Sequence, residues 1–187
     1  MKPFEFVLVI ISVVFGLSLT ECAVGFTYIV VNYETVNLYL PHIGLLLLGF
    51  LSCLNYWGSI YKLRKVTTWT VPNVGVLFIT VLCFYMLTQI CFPDPNGFDQ
   101  DYEKYFNAKI GTILITMICF SVSFIVELLT IRKTRQLKRY SFLLVYILAM
   151  ASGVVIKNNE YRAYLILVLV IGQLYYMYST KVLIEDK

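Results

Sequence analysis

Six long apolar stretches, separated by short polar connections, constrain this chain more than any other feature. They cover residues 4–31, 39–61, 69–92, 108–131, 140–156 and 161–181. About 20 apolar residues in a helix cross the ~30 Å hydrocarbon core of a bilayer, where backbone polar groups must bond to one another. The sequence therefore predicts an all-α, polytopic membrane protein, in which a bundle of six transmembrane helices forms one domain over residues 1–187.

The distribution of basic residues predicts the orientation of these spans. Six spans place both termini on the side that holds the second and fourth connections. That side has eleven of the fifteen lysines and arginines: Lys2, Lys62, Arg64, Lys65, Arg132, Lys133, Arg135, Lys138, Arg139, Lys181 and Lys187. Cytoplasmic loops are enriched in these residues, so we expect cytoplasmic termini and a multi-pass protein of the inner membrane. The net charge of +4 then reflects topology, and we expect the lipid bilayer, not nucleic acid, as partner.

The first apolar stretch has small or polar residues on two opposite sides of a helix. At 100° per residue, one side has Ser18, Glu21, Cys22 and Gly25, and the other has Glu5, Ser12, Gly16, Thr20, Ala23 and Thr27. Such a helix is a poor match for lipid all around. We therefore expect this helix inside the bundle, with its backbone close to that of a neighbouring helix along the Gly16 side. We also expect the protein to form a homo-oligomer.

The fourth stretch has a polar stripe of its own. Its members are spaced three or four residues apart: Thr112, Thr116, Cys119, Ser123, Glu127 and Thr130. This spacing is one face of a helix. The first and fourth helices can use their stripes to pack together or to line a hydrated path, and both alternatives stay open.

Glu21 is the strongest candidate for function in the sequence. It lies ten residues from the outer end of its stretch, which is ~15 Å along a helix and beyond the reach of its side chain. A carboxylate at such depth is costly, and intramembrane acids mark ion or proton sites. Gln173, at a comparable depth in the sixth stretch, is the expected partner.

A second polar cluster is expected nearer the cytoplasm. Glu127, Asn55 and Asn73 lie at similar levels of the fourth, second and third stretches. In the alternative interpretation, Glu127 extends toward water and pairs with Arg132 or Lys133.

The connection between the third and fourth stretches is the longest. Pro93–Gly97 has turn residues, and Asp99 is expected to cap a short helix whose aromatic residues lie on the membrane surface: Tyr102, Tyr105 and Phe106. The acids Asp94, Asp99, Asp101 and Glu103 allow a calcium site. Their spacing does not match an EF-hand loop, so we expect no metal.

Motifs for other chemistry are missing from the sequence. A single histidine, His42, excludes bis-histidine haem within one chain, and five cysteines without a C-x-x-C pair predict neither a zinc site nor a disulfide framework. Hydrolase and phosphate-loop motifs are absent as well. We expect no cofactor and no enzymatic activity.

Several short segments are similar to an uncharacterised family of small bacterial six-helix membrane proteins. They lie in the first two thirds of the chain: Phe4-Glu5-Phe6, Ile11-Ser12, Gly16-Leu17-Ser18-Leu19-Thr20, Tyr39-Leu40-Pro41-His42, Trp57, Trp69-Thr70, Phe92-Pro93-Asp94, Asp101 and Tyr105-Phe106. The resemblance implies a bacterial origin and a six-helix bundle. It implies no activity.

These features together favour a proton or cation channel or transporter that uses Glu21 as its intramembrane acid. The alternative is a membrane protein that transports nothing: a scaffold, a sensor or a membrane-perturbing effector. A water-filled path to Glu21 supports the first, and a dry core with Glu21 bonded to Gln173 supports the second.

Overall fold

The computed structural model describes residues 3–66, 68–92, 101–131 and 137–179, and within these ranges the chain is all-α. Its six α-helices are α1 Pro3–Val31, α2 Leu40–Tyr61, α3 Val71–Cys91, α4 Tyr102–Thr130, α5 Leu137–Val155 and α6 Asn159–Ser179. A 3-10 turn, Lys62–Lys65, follows α2. The β pairing found in these ranges is one isolated bridge, between Asn37 and Asp101. The all-α prediction and the number of helices are confirmed.

Four of the helices, α1 to α4, are long and apolar enough to cross a membrane. The apolar part of α5 is shorter and covers Tyr140–Val155. The four long helices indicate a membrane protein, as their apolar lengths predict.

Helix α4 begins earlier than the apolar pattern predicts. Asp101 is its N-cap, because a carboxylate oxygen of Asp101 accepts hydrogen bonds from the backbone N–H groups of Glu103 and Lys104 at 3.0 and 3.1 Å. Tyr102 and Phe106 are therefore part of α4 and are buried, which corrects the prediction that they lie on the membrane surface in a separate helix. Asp99 and the rest of the possible calcium loop, 93–100, lie outside the described residues.

The helices pack in an order that differs from their order in the chain. The pair α3–α4 has the most extensive contact; α1 packs on α3, α5 on α4, and α6 on α2. Two apolar cores result. The Phe106 core lies near the start of α2 and α4 and includes Leu45, Leu46, Ile110, Ile113 and Ile166. The Phe84 core lies near the opposite ends of the same helices and includes Ile11, Phe15, Ile60, Leu77 and Leu128.

The placement of α1 corrects a prediction. Helix α1 lies at the edge of the bundle and packs through its other small face, which has Ser18, Cys22 and Gly25 in line with Val7, Ile11 and Phe15. A Cβ atom at Gly25 would overlap the Phe92 ring, whereas one at Gly16 would meet no atom within 4 Å. The Gly16 face is exposed or half-buried along its length.

The hydroxyl groups of Ser12 and Thr20, on the exposed face of α1, form their hydrogen bonds within α1 itself. Ser12 donates to the Leu8 carbonyl at 2.7 Å, and Thr20 donates to the Gly16 carbonyl at 2.9 Å. Each hydroxyl is thus satisfied by its own helix. For this reason a Ser/Thr stripe can face lipid, and periodicity alone does not tell which small face packs.

Candidate functional site

A buried carboxyl group bonded to a buried phenol is the centre of the candidate site. Glu127 lies on the packed face of α4 beside Phe124 and Leu128, and its side chain is fully buried. The hydroxyl of Tyr56, on α2, donates a hydrogen bond to a carboxylate oxygen of Glu127 at 2.9 Å. The bond joins two helices 71 residues apart in sequence, so only the tertiary packing creates it.

Aromatic rings hold the phenol of Tyr56 in position. The ring centroids of Phe15, Phe120 and Phe124 lie 6.2, 5.7 and 5.6 Å from that of Tyr56. These contacts come from α1 and α4, and the two α4 rings approach Tyr56 edge-on. Because the ring is enclosed, its hydroxyl is held toward Glu127.

Tyr56 also lines a small cavity between the two apolar cores. The cavity has a volume of about 50 Å³, enough for about three to five water molecules at ~10–15 Å³ each. Helices α2 to α6 all contribute to its wall. Its polar lining, all uncharged, consists of Ser52, Asn55, Tyr56, Ser121, Tyr146, Gln173 and Tyr176.

The hydroxyl of Tyr146 is a hydrogen-bonding group of the cavity wall that is free to bind water. It is buried and has no hydrogen-bond partner among the described residues. A buried hydroxyl without a partner costs about 1–3 kcal/mol, so its position at a polar cavity indicates a place where water can bond.

Three of the five predicted ion-binding residues come together here. Asn55 and Gln173 line the cavity, and Glu127 is bonded to Tyr56 in its wall. The expected pairing of Glu127 with Arg132 or Lys133 concerns residues outside the described ranges. Glu127 is fully buried and bonded to Tyr56 of α2, so it lies in the packed bundle and not at its surface.

Glu21 and Asn73 lie elsewhere. Glu21 is half-buried on α1, a helix that contributes no residue to the cavity wall, and within the described ranges it forms no hydrogen bond with Gln173. The sequence predicts Glu21 and Gln173 as partners from their similar depth alone. In the structure, α1 packs on α3 whereas α6 packs on α2. Asn73 is half-buried in the first turn of α3, and no hydrogen bond in the described part of the chain joins it to Glu127.

The polar stripe of α4 does not line a path with that of α1. Thr112 is exposed, and Thr116 donates to the Thr112 carbonyl at 3.0 Å. Ser123 faces α3, where its oxygen lies 3.9 Å from the Cys83 sulfur. In the described part of the chain the two stripes do not meet, because α1 packs on α3 and α3 packs on α4.

Several residues of the site were not predicted from the sequence, although a polar stripe on α2 indicates some of them. Ser52, Asn55, Tyr56 and Ser59 are spaced three, one and three residues apart on one face of α2. That stripe contains two residues of the cavity wall besides Asn55. Ser121 and Tyr146 have no comparable pattern, and packing alone brings them to the cavity.

The other chemistry-bearing side chains do not form a site. His42 is buried against the rings of Tyr102, Tyr105 and Phe106, and all five cysteines are free thiols. No group of three metal-binding side chains occurs within the described ranges. Comparisons of the chain with protein-family models, with curated proteins and with solved structures find no match, so function is inferred from the geometry of the Tyr56–Glu127 pair and its cavity.

Proposed function

We propose that this chain is an inner-membrane protein that moves protons, and that Glu127 is the acid that binds them. The observation that supports this most is the hydrogen bond from Tyr56 to fully buried Glu127, because Tyr56 also lines the polar cavity. The Glu127 carboxyl, the Tyr56 phenol and the polar side chains of the cavity wall thus follow one another as a series of hydrogen-bonding groups, which water in the cavity would connect. Such a series transfers protons between neighbours without moving a heavy atom far.

The proposed topology gives this series a direction. We take α5 and α6 as the fifth and sixth spans, with both termini in the cytoplasm, on the evidence of the eleven-to-four division of basic residues. Glu127 then lies three residues, or ~5 Å, from the cytoplasmic end of α4, and Ser121 of the cavity lies ~14 Å from it. The series extends from the middle of the bundle toward the cytoplasm.

The opposite half of the bundle contains the Phe106 core. Its residues Leu45, Leu46, Ile110, Ile113 and Ile166 are almost completely buried and contain no polar side-chain atom. Protons from the outer side need this core to open or hydrate. On the cytoplasmic side, Glu127 is fully buried as well and the Phe84 core is also apolar. In our proposal, the structure therefore corresponds to a state closed on both sides.

A proton suits this site better than an alkali cation. The cavity lining has hydroxyl and amide groups but no carboxylate, and its ~50 Å³ is small for an ion with several bound waters. A proton needs only donor and acceptor groups that water can connect. The cavity wall supplies such groups: Tyr56, Ser121, Asn55 and Gln173.

Proton flux into proteoliposomes tests the proposal. With an imposed membrane potential, we expect the wild-type chain to acidify the lumen well above empty vesicles, as reported by a trapped pH-sensitive dye. Tyr56→Phe removes the hydroxyl and should lower that flux at least about ten-fold, whereas Tyr178→Phe, at an exposed position, should not change it. Flux equal to that of empty vesicles would contradict the proposal.

A second function is favoured by the closed Phe106 core. In a scaffold or sensor that transports nothing, the Tyr56–Glu127 bond serves only to join α2 and α4. Wild-type protein would then show no flux at any pH or voltage, while Tyr56→Phe would still lower stability.

A further inference from the structure

An apolar groove separates α1 from α2 on the outer surface of the bundle. Ser12, Phe15, Gly16 and Leu19 of α1 form one wall, and Cys53, Leu54 and Trp57 of α2 form the other. Its volume is about 320 Å³. Phe15 and Cys53 are buried at its floor, whereas Leu54 and Trp57 are exposed at its edge.

The small residues of α1 create this groove. Gly16 has no side chain, and a Cβ atom added there would meet no atom within 4 Å. The Ser12 hydroxyl is bonded to the Leu8 carbonyl. The α1 wall therefore presents backbone and methylene groups without an unsatisfied donor. An apolar occupant can lie directly against it.

The shape of the groove favours a hydrocarbon chain over a helix. Ser12 and Leu19 are seven residues apart, so the groove is about 10 Å long. The ring centroids of Phe15 on α1 and Trp57 on α2 lie only 5.1 Å apart, so the two walls touch at its floor. A helix with side chains is ~10–12 Å wide and cannot enter between such walls, whereas a single methylene chain, with carbon contacts at ~4 Å, can lie along them.

A basic turn follows α2 at one end of the groove. Trp57 is four residues, or ~6 Å, from the end of α2 at Tyr61, and the basic turn Lys62–Lys65 follows directly. The Arg64 guanidinium lies 4.1 Å from the centroid of the Tyr61 ring and donates to the Tyr61 hydroxyl, which holds it at this helix end. The turn Lys62–Lys65 contains three basic residues and no acid.

We propose that the groove binds one acyl chain of an anionic phospholipid whose phosphate lies at the basic turn Lys62–Lys65. The position is that of the cytoplasmic leaflet, so the inference rests on the proposed membrane topology but not on proton transport. Trp57 marks the level where headgroup and acyl chain meet, as interfacial tryptophans do. The Ser12–Gly16 face of α1 is, on this proposal, a lipid site.

Quenching of Trp57 fluorescence by brominated lipids tests the site. Trp69→Phe leaves Trp57 as the only tryptophan. In phosphatidylcholine vesicles, we expect brominated phosphatidylglycerol to bind about five-fold better than brominated phosphatidylcholine, a ratio typical of one basic residue near the surface. About 1 M salt should abolish the preference.

Two sets of variants test which residues cause the preference for phosphatidylglycerol. Neutralising the basic turn (Lys62→Gln, Arg64→Gln and Lys65→Gln together) should bring the ratio to about one, while the matched set Lys104→Gln, Lys109→Gln and Lys157→Gln should preserve it. Gly16→Leu should fill the groove and reduce quenching by either lipid at least two-fold. Gly75→Leu, at another glycine with open space around it, should not.

Three results would overturn the site: equal quenching by the two lipids, an unchanged ratio in the neutralised turn, or protection of Trp57 from both lipids. The last would mean that a second copy of the chain covers the groove. None of these measurements involves proton flux, so failure here leaves the transport proposal intact, and loss of flux leaves the lipid site intact.

Discussion

The bond between Tyr56 and Glu127 is the residue-scale feature with the clearest energetic consequence. Both side chains are almost completely buried, and aromatic rings enclose the phenol. Tyr56→Phe keeps the ring and removes the donor, leaving a buried acceptor with one bond fewer. We expect a loss of about 1–3 kcal/mol of unfolding free energy, measured by denaturant titration in detergent. Tyr178→Phe, at an exposed tyrosine, is the control; equal stability of the two variants would show that the bond contributes nothing.

Individual site residues were predictable where a polar side chain interrupts an apolar run. Asn55, Gln173 and Glu127 were found in this way, and they lie together. Tyr56 was not found, because a tyrosine in an apolar helix usually indicates packing or an interfacial position. The partner of Glu21 was predicted from depth alone, and depth does not determine which helices are neighbours.

At the scale of elements, α1 shows what helical periodicity leaves undetermined. The helix has two small-residue faces, and the sequence does not distinguish the one that packs from the one that is exposed. The structure packs the Ser18–Cys22–Gly25 face against α3 and leaves the Gly16 face open. Small residues permit close packing without requiring it.

Gly25 is therefore the sensitive glycine of α1. In Gly25→Ala, the added methyl group overlaps the Phe92 ring, so either α1 or the ring must shift, at a cost of about 1–3 kcal/mol. In Gly16→Ala, the methyl group enters open space, and helix propensity favours it slightly. We expect a lower thermal midpoint for Gly25→Ala only, measured in detergent. The reverse order would place α1 in the bundle through its Gly16 face.

At the scale of the whole molecule, the apolar runs were sufficient to predict six helices and an all-α chain. Their packing order was not predictable, because every long helix here is apolar on most of its surface and no pattern selects its neighbours. The cavity depends on that order, since five helices meet around it.

Orientation is a whole-molecule prediction that labelling in intact cells can test. On a background without native cysteines, a cysteine that replaces Asn96 should react with an impermeant thiol reagent, because the connection between α3 and α4 is expected outside. A cysteine that replaces Thr134 should react only after lysis, because residues 132–139, which join α4 to the start of α5, include five of the basic residues. Reversed labelling would invert the topology and the direction of the proposed proton path.

We propose that Glu127, and not Glu21, binds the transported proton. Both acids lie in helices long and apolar enough to cross a membrane, but only Glu127 is fully buried and joined through Tyr56 to the cavity. Glutamine keeps the shape of either side chain and fixes it neutral.

The most direct test is therefore proton flux through Glu127→Gln and Glu21→Gln, reconstituted side by side at equal protein density under the same membrane potential. We predict that Glu127→Gln lowers flux at least about a hundred-fold and that Glu21→Gln stays within about two-fold of wild type. Wild-type flux through Glu127→Gln, or loss of flux only in Glu21→Gln, would contradict this assignment.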